Sequence, residues 1–176
     1  MPPIYISYRP QDAAITEKII HRCLQTYGAY SVIVNPQASK LDDVRIENHI
    51  DNLIAAASTV LIVIGRDWSG IDQFGRFRLS LADIPVRAEV FHALRSRKQV
   101  IVVLVNGARL PDRAHVPDEL HGLFDLPMIE LRDETLRYDL NNLIHPPSLV
   151  SQLRYFFSLG WTQRYTQIAD DQTLMS

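Results

Sequence analysis

Apolar residues follow two rhythms along this chain. Short continuous runs, PIYIS at 3–7, YSVIV at 30–34, TVLIVIG at 59–65 and VIVVLV at 100–105, are rich in β-branched residues and bounded by turn residues. They do not alternate with polar positions, which is how strands covered on both faces read. LPMIEL at 126–131 is a fifth, less apolar candidate. Between the runs the spacing becomes helical. Ile15, Ile19, Ile20, Cys23 and Leu24 recur between Asp12, a candidate N-cap, and Gly28, a candidate C-cap. Val44, Ile46, Ile50, Leu53, Ile54 and Ala57 recur in the same way after Asp42 and Asp43, and PVRAEVFHALR forms a third helical segment after Asp83.

Strand, helix and strand in repeated succession predict a parallel sheet with helices on both faces, since parallel neighbours need crossover connections. The predicted class is α/β. Each buried Val, Leu or Ile contributes roughly 1.5–3 kcal/mol, so VIVVLV alone supplies a large gross driving force for a central strand, most of it offset by conformational entropy. From Pro146 an amphipathic stretch, LVSQLRYFFSLGW, leads into a polar run without a core pattern that reads as a frayed end or a linker.

Composition narrows the function classes. The chain has 176 residues, 47% of them hydrophobic and 22% charged, which fits one ordinary globular domain. A formal charge of −2 and the lack of a Lys/Arg cluster argue against a nucleic-acid partner. Cys23 is alone, so neither a disulfide framework nor a cysteine metal site is expected, and a reducing, cytoplasmic compartment follows. Apolar runs of about six residues fall far short of the ~20 needed to span a bilayer, and MPPIYISY lacks the pattern of a signal peptide. No G-x-x-x-x-G-K-(S/T) or G-x-G-x-x-G loop follows a strand, and the single E-x-x-H pair, Glu89 and His92, lacks the second copy that a di-iron bundle would need.

Glu89 is the residue that composition leaves unexplained. At about 100° per residue, Val86, Val90, Ala93 and Leu94 share one arc of the third helix, and Glu89 lies about 40° outside it. This helix starts on the side to which the third strand delivers the chain, where open parallel sheets bind ligands. Position alone fits both a carboxylate that favours the helix dipole and one that faces a crevice at the strand ends.

The order and spacing of IYISYRPQDAA, VLIVIGRDW, GRFRL, PVRAEVFHAL and VIVVLVNGARLP resemble a bacterial Toll/interleukin receptor (TIR) domain over about residues 3–145. The resemblance implies a flavodoxin-like five-stranded parallel sheet, a TIR domain over residues 1–160 and a polar tail or linker over 161–176. It implies no cofactor, NAD+ as substrate, and cleavage of the nicotinamide–ribose bond, with the glutamate of the family's helical segment falling on Glu89. By the same resemblance, Tyr8 and Arg9 of ISYR sit at the mouth of the site, Asn35 ends the second strand where many relatives carry Asp, and the following loop PQASKLDD gates the site. Trp68 of GRDW is a further candidate wall for the substrate, although such a residue is more often a half-buried packing residue.

Two departures stand beside the likeness. Pro85 occupies a position where NAD-active relatives usually carry an aromatic, a wall that Phe74, Phe77 or Trp68 would then supply, and the loop lacks a glycine common in relatives. Two functions follow: a NADase effector of bacterial defence or signalling, activated when TIR domains associate into an oligomer or filament and possibly fused to a sensor, or a non-catalytic scaffold for TIR–TIR assembly.

Overall fold

The computed structural model of the chain describes residues 3–35, 43–70 and 85–132, together with Phe77, Leu79, Thr135, Leu136, Tyr138, Asp139 and Asn141. Its elements run β1 (Ile4–Ser7), α1 (Ala13–Tyr27), β2 (Val32–Ile33), α2 (Asp43–Ala56), β3 (Thr59–Ile64), α3 (Pro85–Arg95), β4 (Gln99–Val105) and β5 (Met128–Leu131). Residues 1–140 form one compact unit, to which these elements belong, and 141–176 form a second. The expectations for the amphipathic stretch after Pro146 and for the tail lie outside the described residues.

The strands form a single sheet in the order β2-β1-β3-β4-β5, and every neighbouring pair is parallel. The parallel sheet is the one anticipated from the strand and helix alternation, and its flavodoxin-like order is the one the TIR resemblance implied. The central strands β3 and β4 pair over six positions, from Thr59 with Gln99 to Ile64 with Leu104. Side chains alternate across them. Val60, Ile62 and Ile64 of β3, with Val100 and Val102 of β4 and Tyr5 of β1, join Ile50 and Ile54 of α2 and Val86, Val90 and Ala93 of α3 in one core. Buried Ile6, Leu61, Val63, Ile101 and Val103 occupy the intervening positions and so point to the other face. Right-handed crossovers put α1, with buried Ile15, Ile19 and Cys23, on that face.

Local sequence explains where the elements stop. Gly28 closes α1 at φ 96°, a conformation that glycine adopts freely, and its N–H returns to the Leu24 carbonyl. The second strand is shorter than YSVIV suggests. Only Val32 and Ile33 are paired, with Ile4 and Tyr5 of β1. The crossover from β4 to β5 is built from 3-10 turns, Arg113–His115 and Asp118–Asp125, in a stretch that Pro111 and Pro117 keep from forming a continuous α-helix. Asp12 is at the N-cap position of α1 as expected, but its side chain makes no capping bond.

Candidate active site

α3 begins at Pro85, so Glu89 lies one turn into the helix, on the side packed against the sheet. The residue at the boundary of the apolar arc is in fact inside: Glu89 is 4% exposed. Its contacts come from the carboxyl ends of the two strands at that edge. Ser7, the last residue of β1, donates from Oγ to Oε2 at 2.5 Å, and Asn35, just beyond β2, donates from Nδ2 to Oε1 at 3.3 Å. Tyr5 shares the α3 face of β1 with Ser7, two positions apart. Its hydroxyl acts electrostatically on Glu89 and Asn35 but makes no hydrogen bond of regular geometry among the described residues.

Burial pushes the Glu89 carboxyl above the ordinary glutamate range, and the hydrogen bonds from Ser7 and Asn35, with the Tyr5 hydroxyl beside them, oppose that push without cancelling it. Burial likewise raises the Tyr5 phenol, and the neighbouring Glu89 charge raises it further. The result is a fixed carboxylate with neutral donors on both oxygens. Such a group is suited to holding negative charge beside a centre that becomes positive, and its elevated proton affinity equips it to take up a proton.

A second buried carboxyl follows β1. Asp12 follows Arg9, and both are buried. Burial raises the Asp12 pKa, Asp67 adds to the rise, and the Gly65 N–H and the Arg9 charge work against it. A Cβ on Gly65 would fall on the Asp12 carboxyl, which explains glycine at the end of β3.

Of the residues expected at the site, Glu89 and Asn35 are brought together. Tyr8 is half-buried just after β1. Arg9 is 5% exposed, with its charge acting on Asp12, and so lies inside the fold rather than open at a mouth. Trp68 is 1% exposed and belongs to the hydrophobic core, the placement of a packing residue. Phe77 stacks on His115 with ring centroids 4.1 Å apart, while Phe74 and the loop 36–42 lie outside the described residues. Ser7 and Tyr5 were not singled out from the sequence. The signal was present: they share a face by the period of two, and Ser7 is where the first strand ends.

His92, the partner in the E-x-x-H pair, instead reaches Asp51 of α2 at 3.2 Å. Among the described residues no group of three or more His, Cys, Asp or Glu could hold a metal ion, and no helix is long and apolar enough to cross a membrane.

Sheet order and a buried carboxylate at the carboxyl edge define an α/β domain of flavodoxin-like topology. No protein-family model matches the chain, and no curated protein does. Among solved structures the chain is similar to one described as the crystal structure of a prokaryotic SEFIR domain, with a TM-score of 0.51 and 14% identity, over 82% of this chain and 97% of that one. The fold is therefore SEFIR/TIR-like. That is a broader placement than TIR alone, because at this identity the two chains share an architecture.

Proposed function

We propose that the domain cleaves NAD+ at the bond between nicotinamide and ribose, with Glu89 as the catalytic carboxylate. The observation that carries this reading is the buried Glu89 side chain, gripped by Ser7 and Asn35 at the strand ends where parallel sheets of this kind bind ligands. As the bond from C1′ to the pyridine nitrogen breaks, its electron pair neutralises nicotinamide and leaves a ribosyl cation. Glu89 stabilises charge that exists mainly in that transition state. Water then adds to C1′ and releases a proton, giving ADP-ribose, or an internal nucleophile closes a cyclic product. Nicotinamide departs without protonation, so one carboxylate suffices, in contrast to the paired acids of most glycosidases. Glu89 must be ionised to act, so the rate rises with pH through a value above the ordinary glutamate range.

The likeness to TIR domains adds a mode of control: association with further copies or with other TIR-like domains, head to tail and so able to extend beyond a dimer into a filament, in bacterial antiphage defence or signalling. The near-closure of Glu89 favours a second reading, a scaffold that assembles without catalysis, in which the carboxylate is only a satisfied polar residue. Nicotinamide release from NAD+, followed across a protein concentration series beside a Glu89→Ala control, tests the first. Release that steepens with concentration and vanishes in the variant supports it. Release that survives the substitution takes Glu89 out of the mechanism, and assembly without release leaves the scaffold.

A further inference from the structure

Two hydroxyls on the α3 face of β1 converge on one carboxylate. Ser7 is 1% exposed and Tyr5 0%, at a depth where a strand facing a core ordinarily carries apolar side chains. The Ser7 bond to Oε2, at 2.5 Å, is the short contact, and Asn35 at 3.3 Å is the long one. The Tyr5 hydroxyl is fully buried and interacts with the same carboxylate, though with no hydrogen bond of regular geometry among the described residues, so its part is the weaker one. A carboxylate this deep needs donors to stay charged. Without the hydroxyls it would keep only the Asn35 contact.

We propose that Ser7 and Tyr5 are positioning residues whose hydroxyls keep Glu89 ionised and fix the direction of its remaining lone pairs. The inference rests on Glu89 as the reacting carboxylate. It assigns the last residue of β1 a part in the reaction that its place in a strand does not require. Other charged or titratable groups near the helix are engaged elsewhere: Arg9 acts on Asp12, Arg87 of α3 bonds to Glu119, and His92 of α3 faces Asp51 of α2. Tyr5 is the titratable side chain that faces Glu89 from the sheet.

The test is a carbon-13 NMR titration of the side-chain carboxyls in the absence of NAD+, with the Glu89 signal identified by its loss in Glu89→Gln. In Ser7→Ala the Glu89 midpoint is expected to move up by about one to two pH units, the effect of losing one hydrogen bond to a charged group. Tyr5→Phe is expected to move it up by less. Ser7→Thr and Ser7→Val have nearly the same shape and differ in the hydroxyl, so the midpoint is expected to be lower in Thr than in Val. This pair reads the hydroxyl even where Ser7→Ala does not fold. The acid limb of kcat/KM for nicotinamide release is expected to follow the same order. A midpoint unmoved in Ser7→Ala, or equal in the Thr and Val variants, overturns the proposal. Because the titration needs no substrate, it decides the role of the hydroxyls separately from whether NAD+ is cleaved.

Discussion

Replacing Glu89 with glutamine separates the effect of the charge on the fold from its effect on a substrate. The side chain is 4% exposed, and burial holds its pKa above the ordinary value of 4.5 despite its donors. A raised folded value means that the native state holds the proton more tightly than the unfolded chain. Stability is therefore full below the unfolded value and is lost as pH rises through the folded one. Each unit between the two values corresponds to about 1.4 kcal/mol. Gln has the size of Glu, carries no charge and still offers an oxygen to Ser7, so it avoids that loss at every pH. Against this, its amide would face that of Asn35, a mismatch of about 1 kcal/mol. Thermal melts followed by circular dichroism from pH 4 to pH 8 read the balance. The gap between variant and wild type is expected to widen in the variant's favour as pH rises, by roughly 2–4 °C for each kcal/mol in a chain of this length. Asp12, also raised by burial, adds a pH dependence of the same sign to both proteins and cancels in the difference. A gap that stays constant with pH, or that narrows, would refute the reasoning.

Three further perturbations probe the same frame. Asn35→Asp sets a second carboxylate against Glu89 in place of a donor at 3.3 Å, and is expected to move the acid limb of nicotinamide release to higher pH and to cost about 1–3 kcal/mol at pH 8, measured by urea unfolding. Gly65→Ala drives a methyl group into the Asp12 carboxyl and is expected to cost about 1–3 kcal/mol; adding Asp12→Ala should restore part of it in the same assay. Ile62→Ala, at a fully buried position in the middle of β3, is expected to cost about 2–5 kcal/mol, with a pH dependence no different from wild type.

How far these features could be read from sequence depends on how local their causes are. TVLIVIG and VIVVLV declare central strands because each holds five or six consecutive apolar positions, and Gly28 declares the end of α1 because the chain must adopt a positive φ there. The two paired positions of β2 are set by its register against β1, which no local pattern states. Glu89 is the sharper case. A helical wheel leaves it at the margin of the apolar arc, and what draws it inside is a pair of donors 82 and 54 residues away along the chain. Arg9 and Trp68 went the other way. Both carry chemistry that invites a site at the surface, yet both are enclosed, Arg9 beside the Asp12 carboxyl and Trp68 in the core over β3.

The groups that hydrogen-bond to Glu89 are neutral, and this bears on the choice between enzyme and scaffold. Hydroxyl and amide donors disperse the charge of a carboxylate without cancelling it, so the site keeps a net negative field for a cation formed within it. A scaffold has no use for that field. Replacing a buried charge with an uncharged group of the same shape often stabilises a fold, and residues kept against that gradient tend to serve an activity. Glu89→Gln therefore distinguishes the two readings by a combination of measurements on one protein. An enzyme yields a variant that is more stable at pH 8, associates as the wild type does by light scattering, and releases no nicotinamide where the wild type does. A scaffold yields a variant that differs in stability alone, with nicotinamide release absent from both proteins at every concentration.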